Sequence, residues 1–269
     1  VDPAKEASHL AKDAIIVLPV SKETDGFGSL AEIGWAILGA MLRGQHVGVF
    51  VELDGEMSDA GKRTRLLSLK FLSALQNKYP IFRIFSKMQN LANWTVFKAE
   101  ETKLFAQSEL SNTTNIQLTH PPLENRITIV GTSSQEVSKK TELIKLLNAK
   151  NMPIYDSYIK NWDDNMEQNI DNELKHKRHD KVILSIITGD TEGFGSLAES
   201  GLLALNAMIT GQAYGLYIED HPSPPNSATN RTRTLVKAHI AKLNQQFPNT
   251  VFLANSMEEL AAFAVANIQ

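Results

Sequence analysis

The chain has 269 residues, of which 42% are hydrophobic, so it is long enough to bury two cores of ordinary domain size. The formal net charge is only −3 and no long block of one sign occurs, which argues against binding to nucleic acid or to an anionic membrane. The absence of cysteine excludes disulfides, thiolate catalysis and cysteine-ligated metal. No apolar run reaches the roughly 18 residues of a membrane span, and no signal peptide opens the sequence. These features predict a cytoplasmic protein, for which we expect neither a metal nor another cofactor.

Residues 1–100 predict strands that alternate with helices. The predicted strands are Ala14–Val20, His46–Val51 and Ile81–Phe85, and the predicted helices end at Arg43 and span Arg63–Asn77. Residues 101–124 lack a clear period, contain Pro121-Pro122 and are predicted to be a linker.

Residues 125–269 predict the same plan, preceded by an additional strand and helix. The predicted strands are Arg126–Val130, Val182–Ile187, Ala213–Ile218 and Val251–Ala254. The predicted helices are Ser138–Ala149, Asn165–Lys175, Ser196–Ile209, Arg231–Gln245 and Met257–Ala266. This alternation predicts an α/β fold with two tandem doubly wound, Rossmann-like parallel-sheet domains and flanking helices.

An internal repeat supports the division into two domains. The heptapeptide Gly-Phe-Gly-Ser-Leu-Ala-Glu occurs as Gly26–Glu32 and again as Gly193–Glu199. Further matching pairs follow, with a slip of one residue before the arginines: Gly44-Gln45 with Gly211-Gln212, Glu52 with Glu219, Arg63 with Arg231, and Arg65 with Arg233. So long a period indicates tandem domains, of which residues 1–100 are a shortened copy and residues 125–269 a complete one.

The repeated loop follows a predicted strand, at the sheet edge where open parallel sheets bind ligands. Its serines, Ser29 and Ser196, suit the N-cap of the next helix, and Glu32 and Glu199 then fall in the first helical turn. The same spacing is that of a capping box, in which the glutamate only reaches back to the cap amide. Both interpretations remain open at this point.

The repeated segments resemble a known family. Gly28-Ser29-Leu30-Ala31-Glu32 with Gly34, followed by Gly44-Gln45-His46-Val47, is similar to the motif of the nucleoside 2-deoxyribosyltransferase superfamily. Gly195–Glu199 with Gly201 matches it likewise. The resemblance covers most of residues 126–269 and only the later elements of the first copy. Phosphoribohydrolases of the lysine-decarboxylase-like type carry a related loop and are an alternative.

The resemblance implies a glutamate nucleophile that attacks C1′ of a deoxyribose and expels the base, with Glu199 as the first candidate and Glu32 as the second. The ligand would be a small-molecule nucleoside or nucleotide, and a catalytically silent nucleotide-binding module is the alternative. We expect a homo-oligomer or an internal pseudo-dimer. The residues expected to bind substrate are Gly131, Thr132, Ser133, Trp162, Asp163, Asp190, Gly195 and Ser196.

The motif departs from the family pattern at Gly26 and Gly193, which stand where the transferases usually carry an aspartate. The acid that protonates the leaving base is therefore unassigned, and the candidates are Asp163, Asp164, Asp190 and Glu192. Trp162 is either a platform for a nucleobase or a core residue.

Two further clusters carry charge. The repeated arginines Arg63, Arg65, Arg231 and Arg233 either bind a 5′-phosphate or pair with nearby acids such as Glu52 and Glu219. His176 and His179 are spaced for a shared metal, but a solvated helix end is the simpler interpretation because no third ligand is evident.

Overall fold

The computed structural model describes residues 12–23, 26–55, 57–76, 82–107, 122–131, 138–157 and 165–268. The chain divides into two compact units, Val1–Gln117 and Leu118–Gln269, which we call unit 1 and unit 2. Each unit contains a parallel sheet with flanking helices, as predicted for a tandem α/β chain.

In unit 1 the described strands are β1 (Ile15–Val20), β2 (His46–Val51) and β3 (Phe82–Phe85), hydrogen bonded in the order β1-β2-β3. The helices are α1 (Phe27–Arg43), α2 (Asp59–Gln76) and α3 (Met88–Gln107). Phe50 of β2 packs with Leu91 and Trp94 of α3 in a small buried cluster. The strand β2 is apolar and buried at nearly every position, which is typical of a parallel strand covered on both faces.

The described residues of unit 2 form five strands, hydrogen bonded in the order β5-β4-β6-β7-β8 and all parallel. Their bounds are β4 Glu124–Gly131, β5 Ile154–Asp156, β6 Asp180–Ile187, β7 Ala213–Ile218 and β8 Val251–Ala254. The helices are α4 Ser138–Asn148, α5 Met166–His179, α6 Phe194–Thr210, α7 Ala228–Gln246 and α8 Met257–Ile268. This order confirms the predicted doubly wound sheet, because the chain extends the sheet outward in both directions from β4 and β6.

One buried core of unit 2 lies between the sheet and the helices α4 and α8. Alternate residues of the central strands, among them Ile127, Ile129, Val182, Leu184 and Ile186, are buried against Leu143, Leu147 and Leu260. Right-handed crossovers place α5, α6 and α7 on the opposite face of the sheet. The residues of β6 that point to that face include Ser185, a polar residue in an otherwise apolar strand.

Two elements were not predicted from the sequence. Helix α3 continues to Gln107, into the segment predicted to be a linker, and the short strand β5 was missed. Helix α3 gives a weak periodic signal because, of the side chains described for residues 88–103, only Leu91 and Trp94 are buried, while Val96 and Phe97 are exposed. Strand β5 has only three residues, too few to establish an alternating pattern.

Candidate functional site

The candidate site lies at the carboxyl ends of β4 and β6, where the direction of strand addition reverses. Open α/β sheets bind their ligands in the crevice at such a switch point. Gly131 ends β4 with φ of 149°, and an added Cβ there would collide with the carbonyl oxygen of Ile186. The predicted binding residue Gly131 therefore has a backbone role that only glycine fills. Residues 132, 133, 162, 163 and 164, which include the predicted Thr132, Ser133, Trp162 and Asp163, lie outside the described residues.

The start of α6 differs from the prediction. Its N-cap is Gly193, in the left-handed conformation with φ of 62°, and no side chain caps the helix. Ser196 lies inside the helix, so Glu199 falls in the second turn and the capping-box interpretation is wrong for it. Gly26, with φ of 68°, caps α1 in the same way and places Ser29 and Glu32 likewise. The helix begins earlier than predicted because the left-handed glycine already ends the loop.

The carboxylate of Glu199 is held by a lysine that the sequence analysis missed. Lys177, in the last turn of α5, is fully buried, and its Nζ donates to Oε2 of Glu199 at 2.6 Å. The same Nζ lies 2.8 Å from Oε1 of Glu173, one turn back on α5. The side chain of Glu199 is 17% exposed, and within the described residues no hydrogen bond reaches its Oε1. The arrangement fixes one oxygen of the carboxylate and leaves the other uncommitted.

Glu173, Lys177 and Glu199 shift one another's pKa values, and the lysine and Glu173 act on Glu199 in opposite directions. Burial by itself lowers the pKa of Lys177, but the charges of Glu173 and Glu199 and their hydrogen bonds raise it to about 12. Burial raises the pKa of Glu199, Lys177 lowers it, Glu173 raises it again, and the net direction is upward. The pKa of Lys177 rises because two carboxylates share its ammonium group. The pKa of Glu199 rises because burial and the charge of Glu173 together outweigh the effect of the lysine.

The raised pKa of Glu199 predicts how stability depends on pH. A carboxyl group whose pKa is higher in the folded protein stabilises the fold below its ordinary value of 4.5, and that contribution is lost as pH rises through the raised pKa. We expect Glu199→Gln to match the wild type near pH 4.5 and to be more stable than the wild type at neutral pH. Urea unfolding of both proteins across this range measures the difference. A variant that is less stable at neutral pH would show that Glu199 is mainly a structural ion-pair partner.

Two buried hydroxyl groups adjoin the Glu173–Lys177–Glu199 cluster. Tyr214 and Ser185 lie on neighbouring strands, and their hydroxyl groups are close enough to interact, although neither has a described partner with good hydrogen-bond geometry. Burial raises the pKa of Tyr214, the nearby Ser185 hydroxyl lowers it, and the charge of Glu199 adds to the rise. Oε2 of Glu173 is likewise buried without a partner among these residues. Buried polar atoms without good partners destabilise a fold, so this polar region lowers the stability of unit 2.

The repeat provides an internal comparison for this polar region. At the offset that pairs Glu32 with Glu199, three of its polar residues have apolar counterparts: Lys177 pairs with Leu10, Ser185 with Leu18 and Tyr214 with Val47. The same α/β plan therefore does not require the lysine or the two hydroxyl groups. The sequence of unit 1 keeps Glu32 but has neither the lysine nor the two hydroxyl residues at the matching positions.

Other repeated polar residues do have structural roles, because they make equivalent hydrogen bonds in both units. The glutamines donate to a carbonyl near the start of the strand that precedes the repeated loop: Gln45 to Asp13, just before β1, and Gln212 to Asp180, the first residue of β6. The glutamates accept from a loop amide, at 2.9 Å from Lys22 to Glu52 and at 2.8 Å from Gly189 to Glu219.

The repeated arginines hold carbonyl groups of the loops. Arg233 is fully buried and donates to the carbonyl oxygens of Glu219, Thr188 and Thr191 at 2.6, 3.0 and 2.6 Å. Arg65, also fully buried, donates to the carbonyls of Glu52 and Ser21 in the same way. Arg65 and Arg233 thus hold main-chain oxygens of the loops, a role that the sequence analysis did not consider. Burial lowers the pKa of Arg233.

The remaining predicted residues of the loop lie close together in the chain but do not form a second acidic centre. The carboxylate of Asp190 is exposed and accepts a hydrogen bond from the hydroxyl of Thr188. Glu192 is also exposed, and Gly195 and Ser196 are partly buried in the first turn of α6. No described acid is therefore placed as the proton donor to a leaving base.

The two histidines of α5 contact different groups. His176 stacks on Tyr155 with ring centroids 3.5 Å apart, and its Nδ1 lies 2.9 Å from Arg126, which binds the buried Asp180. Nδ1 of His179 lies 2.8 Å from the carbonyl of Lys175. Within the described ranges, no group of three or more potential ligands could hold a metal ion. None of the helices described there is both long and apolar enough to cross a membrane.

The sequence matches no protein-family model, and neither the curated proteins nor the solved structures gave a match to this chain. Arguments about its function therefore depend on its own residues and their geometry.

Proposed function

We propose that unit 2 cleaves or transfers the N-glycosidic bond of a deoxynucleoside or related nucleotide, with Glu199 as the nucleophile. The observation that carries the proposal is the polar cluster beneath Glu199. Lys177 holds one oxygen of this carboxylate, and the sequence of the first copy has Leu10 at the position that matches the lysine. A buried ion cluster that the fold does not need indicates a functional constraint.

The proposed chemistry follows from the position of the carboxylate. Oε1 of Glu199 attacks C1′ of the sugar, and the electron pair of the C1′–N bond leaves with the base, which takes a proton from solvent. The resulting glycosyl ester is then attacked at C1′ by water or by a second nucleobase, and the carboxylate is released. Two displacements at C1′ retain the configuration of the sugar. The switch-point location and the resemblance of the Gly-Ser-Leu-Ala-Glu motif to nucleoside 2-deoxyribosyltransferases support this reaction.

A catalytically silent nucleotide-binding module is the second candidate. The observation that favours it is that no acid among the described residues is placed to protonate a leaving base, since Asp190 and Glu192 are exposed. In that case the glutamate would serve the binding of a nucleoside or nucleotide without turnover.

The test is an exchange assay with the whole chain. The protein is incubated with a panel of deoxynucleosides and their 5′-monophosphates, with and without a free nucleobase, and products are separated by chromatography. The proposal predicts free base in water and an exchanged nucleoside when a second base is present. A ligand-induced rise in melting temperature without any product would favour the binding module instead. Neither product nor a thermal shift across the panel would contradict both.

A further inference from the structure

We propose that Lys177 is a positioning residue for Glu199, which holds Oε2 so that Oε1 can react, and that Glu173 balances the charge of Lys177 once Glu199 is esterified. This inference rests on the proposed function and assigns roles to residues that the motif does not contain. It is carried by the contacts of Lys177, by the charge of the cluster and by the comparison between the two copies.

The first observation is geometric. Glu173 and Lys177 lie one turn apart on α5, so their side chains share the face of the helix that packs on the sheet. Lys177 is fully buried, and the side chain of Glu173 is only 7% exposed. The ammonium group spans the gap between α5 and α6 to reach Glu199 at 2.6 Å. A charge-assisted hydrogen bond from a buried donor restricts the carboxylate to one orientation.

The second observation is the charge count. With all three groups ionised, Glu173, Lys177 and Glu199 together carry one excess negative charge. When Oε1 of Glu199 forms its bond to C1′, the carboxylate becomes a neutral ester, and Glu173 and Lys177 remain as a neutral pair. Burial therefore raises the free energy of the ionised cluster more than that of the ester. This difference lowers the barrier to the attack of Glu199 on C1′. Without Glu173, the same step would leave a buried cation with no counter-charge.

The third observation is the contrast with unit 1, where Leu10 matches Lys177 in the sequence. A leucine cannot hold a carboxylate oxygen, and Glu32 is therefore predicted to contribute no turnover. The proposed reaction is therefore confined to unit 2.

The experiment compares three variants of the whole chain on the deoxynucleoside that the wild type turns over fastest. Lys177→Met removes the cation and keeps the length of the side chain. Lys177→Arg keeps the charge. The double variant Glu173→Gln with Lys177→Met removes a charge of each sign, which protects against a fold that fails because two buried carboxylates have lost their partner. For each, kcat, KM and the pH profile of kcat/KM are measured.

The inference predicts that both variants without the lysine lose about a hundredfold or more in kcat with little change in KM. In Lys177→Met the acidic limb of the pH profile moves to higher pH, because the cation that favours ionised Glu199 is gone. In the double variant the loss of the Glu173 charge offsets part of this move. Lys177→Arg is expected to recover most of the lost rate. A lysine with a purely structural role would leave the plateau kcat of the folded variants unchanged, so arginine would have no rate to recover.

The possible failures are distinguishable. If the wild type turns over substrate and the folded double variant keeps its kcat and pH profile, the positioning role is overturned while the proposed function stands. If the wild type is inactive across the panel, the proposed function fails and the catalytic role of Lys177 fails with it. Urea unfolding of Lys177→Met, Glu199→Gln and their double variant then reports the coupling energy between the two residues, which describes a structural ion pair alone.

Discussion

Replacing Glu199 by glutamine is expected to lower kcat/KM for base release by roughly 10³-fold or more, because the amide cannot form the glycosyl ester. The fold is expected to survive, since the remaining Glu173–Lys177 pair is neutral and the amide oxygen can still accept the hydrogen bond from Lys177. The measurement is the initial rate of base release by the purified variant, alongside its circular dichroism spectrum.

Glu32→Gln is the matched control, because it makes the same change at the same motif position of the other copy. We expect its rate to stay close to that of the wild type. If Glu32→Gln lowered the rate and Glu199→Gln did not, the catalytic glutamate would have been assigned to the wrong unit.

The largest loss of stability is expected from Arg233→Leu. The variant would remove the donor to the carbonyl oxygens of Glu219, Thr188 and Thr191, of which the bond to Thr188 is fully buried and the other two are partly buried. Each orphaned buried acceptor costs about 1–3 kcal/mol, so we expect about 3–5 kcal/mol in the free energy of unfolding of unit 2. Because these carbonyls include the loop before α6, the variant is also expected to bind ligand more weakly.

Arg231→Leu is the control for that prediction. Arg231 lies two residues earlier on α7 with an exposed side chain, so its replacement is expected to change stability by less than about 0.5 kcal/mol. The comparison uses urea unfolding followed by circular dichroism, with the transition of each unit fitted separately because a chain of two units need not unfold in one step. Equal losses for the two arginines would contradict the role assigned to Arg233.

The sequence predicted the architecture well where local patterns are strong. The apolar run Val182–Ile187 predicted the central strand β6, because a strand that is buried on both faces is apolar along its length, whereas the N-cap of the next helix was placed at Ser196 instead of Gly193. The alternation of strands and helices predicted the doubly wound sheet of unit 2, without its strand order and without β5. Elements with weak periodicity, such as α3, were not predicted.

The surroundings of Glu199 could not be predicted because they join distant residues. Lys177 is 22 residues from Glu199 in the chain, and their contact depends on how α5 and α6 pack on the sheet. One local signal was available: Lys177 continues the buried positions Ile170 and Leu174 at helical spacing, where an apolar residue is expected. A lysine on a buried stripe indicates an acidic partner within the fold.

The most direct test of the glycosyl-enzyme mechanism is to trap its intermediate. The protein is incubated with an arabinosyl nucleoside that carries fluorine at C2′, and its intact mass is then recorded. The fluorine destabilises the oxocarbenium-like transition states and therefore slows both the formation and the breakdown of the glycosyl ester. We predict a mass increase equal to one fluorinated sugar, located by peptide mapping on Glu199 and absent from Glu199→Gln. A nucleoside-consuming protein with no adduct, or an adduct that persists in Glu199→Gln, would contradict a nucleophilic role for this residue.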